Sequence, residues 1–165
     1  MASQPFKYRG QDFSLLRDKG RFVLPAQFRK TVKESSANRP VLCIAKHNRW
    51  PCLIGFGKSL EDSFDDILDR EELQAEKRGQ EFDRELRETQ LSSFKEVPFD
   101  DSGRFVLPVY LAGLAGIDDQ IYLQGAGDVV QLWAPARLFA MGEGWENQQA
   151  ACRQLAADAL AKGAK

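Results

Sequence analysis

Two short stretches carry the residues best suited to chemistry. One reads Asp18-Lys19-Gly20-Arg21-Phe22-Val23-Leu24-Pro25-Ala26-Gln27-Phe28. The other reads Asp101-Ser102-Gly103-Arg104-Phe105-Val106-Leu107-Pro108-Val109-Tyr110-Leu111. Seven of the eleven positions are identical, at an offset of 83. In each, a glycine able to take positive φ precedes an arginine at a tight turn, and Asp18 and Gly20 supply turn chemistry in the first. A glycine keeps such a tip slim, and a two-stranded ribbon fits the major groove of B-DNA. There a guanidinium donates two hydrogen bonds to guanine O6 and N7, whereas a lysine acts as a point charge on phosphate. Lys19 and Arg21 around Gly20 have these properties. The second tip keeps Gly103 and Arg104 but has Ser102 for the lysine, after Asp100 and Asp101. Its local field is negative, so the first tip is expected to make the main contact. For Arg104, pairing with a neighbouring aspartate is as good a reading as function. Lys7, Arg9 and Arg17 are candidates for phosphate contact.

The charge distribution bears on this reading. The 165-residue chain has a net charge of −1, yet residues 1–50 hold eleven Lys/Arg against three acids, residues 51–100 seven against fourteen, and residues 101–165 five against seven. The basic first third either faces a polyanion or pairs with the acidic middle inside the fold.

Other chemistries have less support. The single histidine, His47, excludes a multi-His metal cage and reads as a solvated loop residue. Cys43, Cys52 and Cys152 form no C-x-x-C, and no serine or cysteine has an evident catalytic partner. Gly125-Ala126-Gly127 resembles part of a nucleotide loop, but Val130 stands where the third glycine belongs and a hairpin turn explains it as well. Adjacent acids such as Asp65-Asp66 and Asp118-Asp119 read as exposed. Neither catalysis nor a cofactor is expected.

The elements that position the tips are duplicated too. Each segment reads as a hairpin, a short helix and a second hairpin. In the first, residues 13–16 and 21–24 flank the turn, Pro25 opens a helix over 26–32, and Val41-Leu42-Cys43-Ile44 and Cys52-Leu53-Ile54-Gly55-Phe56 form the later pair. In the second, Val97-Pro98-Phe99 leads in, with Pro98 suited to an edge strand. Ile121-Tyr122-Leu123 and Val130-Gln131-Leu132-Trp133 close it. A charged stretch over 60–93 has apolar residues at helical spacing and reads as a solvated helix laced with ion pairs. Residues 145–162 predict another helix. The expected class is α+β, a repeated unit with boundaries at 1–90 and 91–165. Units this small leave edges and apolar surface, which predicts association between copies.

Taken together, Arg9-Gly10, Lys19-Gly20-Arg21 with Leu24-Pro25-Ala26 and Phe28-Arg29, Asp100 with Gly103-Arg104 and Leu107-Pro108, and Leu132-Trp133 resemble the MraZ family of bacterial transcriptional regulators, over nearly the whole chain. The resemblance implies tandem swapped-hairpin, AbrB-like β-barrel units, ring-like homo-oligomers, and binding to short direct repeats in the promoter of a division and cell-wall gene cluster. It places the DNA-contacting residues on Arg21 and Lys19, with Arg104 equivalent in the second copy. One position departs from the pattern. The motif aspartate lies three residues before the glycine, where the second copy has Asp100 and the first has Arg17.

The expected partners are double-stranded promoter DNA and further copies of the chain, with neither membrane nor small-molecule substrate. The expected location is cytoplasmic and nucleoid-associated, because the start of the chain has no basic-then-apolar signal pattern. The competing reading is an oligomeric scaffold or antitoxin-like partner that binds no DNA, since fold alone does not fix function.

Overall fold

The computed structural model describes residues 5–163. Strand β1 (Gln11–Leu15) leads through a turn to β2 (Phe22–Val23), then α1 (Ala26–Ser35), β3 (Val41–Lys46) and β4 (Leu53–Phe56). A 3-10 segment enters α2 (Phe64–Lys77), and α3 (Arg84–Ser92) follows. The order then recurs as β5 (Lys95–Pro98), β6 (Arg104–Phe105), α4 (Val109–Ala115), β7 (Gln120–Gly125) and β8 (Val130–Trp133), after which α5 (Pro135–Phe139) and α6 (Glu146–Gly163) end the chain. This is an α+β fold.

Six strands form one antiparallel sheet in the order β1-β7-β8-β4-β3-β5, and β2 and β6 form a separate ribbon. The later hairpins form as expected, β3 with β4 and β7 with β8. The first hairpins do not. Only one bridge, Arg17 to Arg21, closes the first. Its leading strand β1 pairs instead with β7, Phe13 opposite Tyr122, while β5 pairs with β3, Val41 opposite Pro98. The return strands β2 and β6 pair with each other. The physical reason is local. The backbone of β1 is committed to β7, and the Val23 amide donates to the Ser14 hydroxyl (2.9 Å) rather than to a β1 carbonyl. The strands of both segments therefore interleave in one open sheet. The expected β-barrels are not found among the described residues. Pro98 does stand in an edge strand, where a missing donor costs least.

The central strands are nearly continuous apolar runs because both faces are covered. On one face Leu42, Ile44, Leu53, Ile121, Leu123 and Leu132 pack under the ribbon (Phe22, Phe105) and under α1 and α4 through Phe28, Val32, Leu111 and Ala115. On the other, Tyr122, Trp133 and Cys52 meet Leu138 of α5 and Cys152 of α6, while Cys43 and Phe56 meet Leu60 and Phe64 ahead of and within α2. The charged middle forms two helices rather than one. Gly79, at φ +66°, lies between them, and Arg87 on α3 ties back to Glu71 on α2 with a bidentate pair at 2.7 and 3.1 Å. Among the described residues no helix is long and apolar enough to cross a membrane.

Candidate nucleic-acid interface

The ribbon holds both glycine-arginine turns, but the two turns differ. In the second, Asp100 organises everything. Its Oδ1 accepts from the amides of Ser102 (3.0 Å) and Arg104 (2.9 Å), its carbonyl accepts from the Gly103 amide (2.8 Å), and its Oδ2 accepts from Arg104 Nε (2.6 Å). These donors hold its carboxyl below the ordinary carboxylate range, the Arg104 amide contributing most. A single residue there, Gly103 at φ +83°, is left-handed.

In the first turn the Arg17 side chain has no acceptor to offer. The Arg21 amide must reach the Arg17 backbone carbonyl at 3.4 Å, while the Arg17 amide donates to the Arg21 carbonyl at 2.7 Å. Two consecutive residues become left-handed, Lys19 at φ 63° and Gly20 at φ 66°. With Arg17 where the second turn has Asp100, the chain takes a different path through the first turn. Asp18 shapes this turn through its carbonyl, which accepts from Arg21 Nε at 3.3 Å. Its carboxylate accepts no hydrogen bond among the described residues.

Arg21, Arg104 and Asp100 come together on the ribbon. Arg21 Nη1 lies 3.9 Å from Asp100 Oδ2, an ion pair across the two segments. Arg17 and Lys19 stand exposed at the first tip, where a β-carbon on Gly20 would meet nothing within 4 Å. Lys7 and Arg9 are not part of this group. Arg9 precedes β1 and Arg17 follows it, so about 17 Å of strand separates them. Lys7 pairs with Asp128 beside the β7–β8 turn, where Tyr8 bridges Gly127.

Two features of the site were not expected from the residues alone. Arg29 of α1 donates from Nη1 to the Asp101 carbonyl (3.3 Å) and braces the second tip. The reach of Asp100 to Arg21 is the other, and Arg17 was its signal, because an arginine at the aspartate position leaves Arg21 without its own i−4 carboxylate. His47 requires a correction. It is half-buried rather than solvated, and its Nδ1 accepts from the amides of Arg49 (3.0 Å) and Trp50 (3.2 Å). Burial first, and the adjacent Lys46 second, lower its pKa to about 4. Among the described residues no group of three or more His, Cys, Asp or Glu is arranged to hold a metal.

No protein-family model matches the chain. Individual relatives do. It is 30% identical over 128 residues to the transcriptional regulator MraZ of Parvibaculum lavamentivorans, covering 78% of this chain and 76% of that one. Against the transcriptional regulator MraZ of Rhodospirillum rubrum the identity is 32% over 126 residues, covering 74% and 76%. The chain belongs to the MraZ family. A more extended match, 27% over 146 residues covering 88% of this chain and 84% of the other, is to the transcriptional regulator MraZ of Caulobacter vibrioides. Membership supports a role in transcription regulation, and none of these MraZ relatives bears an enzyme name.

Proposed function

We propose that this MraZ-family chain is a sequence-specific DNA-binding regulator, cytoplasmic and nucleoid-associated, that reads short direct repeats in a promoter with the tip formed by Arg17, Lys19, Gly20 and Arg21. The observation that carries this reading is the contrast between the tips. At the first, Arg17 and Lys19 are exposed and make no ion pair among the described residues. At the second, Arg104 is engaged at 2.6 Å by the carboxylate of Asp100. A slender turn that presents the unpaired cations of Arg17 and Lys19 is what a groove accepts. Arg21 supplies base discrimination, Lys19 and Arg17 supply phosphate contacts, and Arg104 plays the lesser part.

The exchange of β1 and β5 between the segments, with β2 on β6, supports assignment to the swapped-hairpin, AbrB-like class, with 1–90 and 91–165 as its two repeats. Exposed apolar residues on α4 and at its entry, Val106, Val109, Tyr110 and Leu114, support association of copies, in a ring by family resemblance. Several tips on one DNA would then raise affinity through effective concentration. The division and cell-wall cluster is the proposed target on the same resemblance.

The test is a mobility shift of the DNA upstream of the chain's own gene across a salt series. A DNA reader binds and loses affinity steeply as salt rises. Absence of a shift at low salt would overturn the proposal in favour of a scaffold.

A further inference from the structure

One carboxylate serves both tips, and its role deepens the DNA-binding reading on which it rests. Asp100 engages its own turn fully. Oδ1 takes two amides, and Oδ2 takes Arg104 Nε at 2.6 Å. A carboxylate offers about four acceptor positions, so one remains on Oδ2. Arg21 of the other segment faces that oxygen at 3.9 Å. This is beyond the 2.7–2.9 Å typical of a charged hydrogen bond. The charge therefore orients the guanidinium without consuming its donors. The counterpart of Asp100 in the first turn is Arg17, and Asp100 is the sole ion-pair partner of Arg21 among the described residues.

We propose that Asp100 is a positioning residue for Arg21: a carboxylate from the second repeat stands in for the missing aspartate of the first and sets the specificity of the first tip. Two kinds of target meet this arrangement differently. A bare phosphate competes with Asp100 for the whole charge of Arg21. A base edge needs only the donors that neither Asp100 nor the Asp18 carbonyl occupies. The carboxylate thus penalises sequence-independent contact more than base readout, an instance of specificity obtained by repulsion.

The experiment compares the full-length wild type with Asp100→Asn. The amide oxygen of asparagine still accepts from Ser102 and Arg104, so the turn survives while the charge goes. Affinity is measured for the chain's own upstream DNA and for a random-sequence duplex of equal length, each across a salt series. In the variant, binding to random DNA is expected to strengthen, and its log–log salt slope to steepen by about 0.9 for each of Arg21 and Arg104 that then reaches a phosphate. The same comparison in an Arg104→Ala background leaves only the Arg21 share. The preference for the upstream DNA is expected to fall by about three- to tenfold. A merely structural role would move neither the slope nor the preference, and a role exerted through Arg104 alone would vanish in the Arg104→Ala background and overturn the positioning of Arg21. If wild type binds its upstream DNA and Asp100→Asn matches it in both, the positioning role is overturned and the DNA reading stands. If wild type binds neither duplex, the DNA reading itself fails and takes this inference with it. A thermal melt reports whether Asp100→Asn is folded. Should it not be, Asp100→Ser, whose hydroxyl also accepts backbone amides, goes through the same two measurements with the same expected and overturning results.

Discussion

The Leu24 amide donates a 2.7 Å hydrogen bond to the Gly103 carbonyl, and a β-carbon on Gly103 would stand 2.5 Å from the Leu24 carbonyl oxygen. The two segments therefore touch backbone to backbone beside the β2–β6 pair. The Arg29 guanidinium fills the remaining space, with Nη1 2.7 Å from that same β-carbon position. Gly103 is also left-handed, at φ +83°. Gly20 shares the dihedral problem but has open space around it.

Alanine at these two glycines should accordingly have unequal effects. Gly20→Ala meets only the left-handed penalty, about 1–2 kcal/mol. Gly103→Ala adds a clash with main chain that cannot rotate away, and forces β2 from β6. Denaturant unfolding should find Gly103→Ala the more destabilising of the two by at least about 1 kcal/mol. Equal losses would mean that the ribbon yields freely.

The two arginines should also separate. Arg21→Ala is expected to weaken binding to upstream DNA by about 1–3 kcal/mol per engaged contact. Arg104→Ala should cost less, because Asp100 already holds that guanidinium. Titrations of both variants at one fixed salt concentration decide this. If Arg104→Ala is the more damaging, the ranking of the tips is inverted.

A buried pair joins the segment before β1 to the end of β4. The Gly57 amide donates to the Tyr8 hydroxyl at 3.0 Å, and Tyr8 is buried. Burial is the main reason that the Tyr8 hydroxyl is pushed up to about 12. Tyr8→Phe removes the acceptor and leaves a buried N–H without a partner. The expected loss is about 1–3 kcal/mol, read by denaturant unfolding. An unchanged midpoint would show that water replaces the hydroxyl.

His47 gives the fold a pH dependence. Its folded pKa, about 4, lies below the ordinary 6.5. Between those values the unfolded chain binds the proton and the folded chain does not, so stability rises with pH across the window. The contribution is complete above pH 6.5 and is lost as pH falls toward 4. His47→Asn can present an oxygen to the Arg49 and Trp50 amides but does not titrate. The stability difference between the two proteins should therefore shift against wild type as pH is lowered from 6.5 to 4. A difference that stays constant would place the acid sensitivity elsewhere.

Much of this architecture was legible in the residues. The runs around Leu42, Leu53, Tyr122 and Leu132 are apolar because both sheet faces are covered, and they form the strands expected of them. Pro25 and Pro108 stand immediately before α1 and α4. What the residues did not disclose is partnership. Gly20 signals a reversal of the chain, but a turn says nothing of which strand lies beside β1, the strand that precedes it. Pairing with β7 is decided by a segment more than a hundred residues away. The break in the charged middle went unread because Leu60 through Thr89 keep helical spacing across it, while Gly79 and the Arg87–Glu71 tie fold the stretch back on itself. The site was legible in part for the same reason. Lys19 and Arg21 are local to one turn, whereas the Asp100 contact requires the ribbon.

Lys19 carries the last prediction, because stability and binding should move in opposite directions there. It is exposed, makes no ion pair among the described residues, and is held left-handed at φ 63°. Lys19→Gly relieves a penalty of about 1–2 kcal/mol and gives back about 0.5–1 kcal/mol in chain entropy. A net gain in fold stability of roughly 0.5–1 kcal/mol is expected. The same change removes a positive charge from phosphate, so affinity for DNA should fall and the salt slope should flatten by about 0.9 for each phosphate that Lys19 neutralises. Lys7→Ala, by contrast, should leave the slope nearly unchanged, since Lys7 is spent on Asp128 at the far end of β1. Unfolding curves and salt titrations on the same two variants check both halves. A Lys19→Gly protein that binds DNA as wild type does would remove the tip lysine from the interface, whatever its stability.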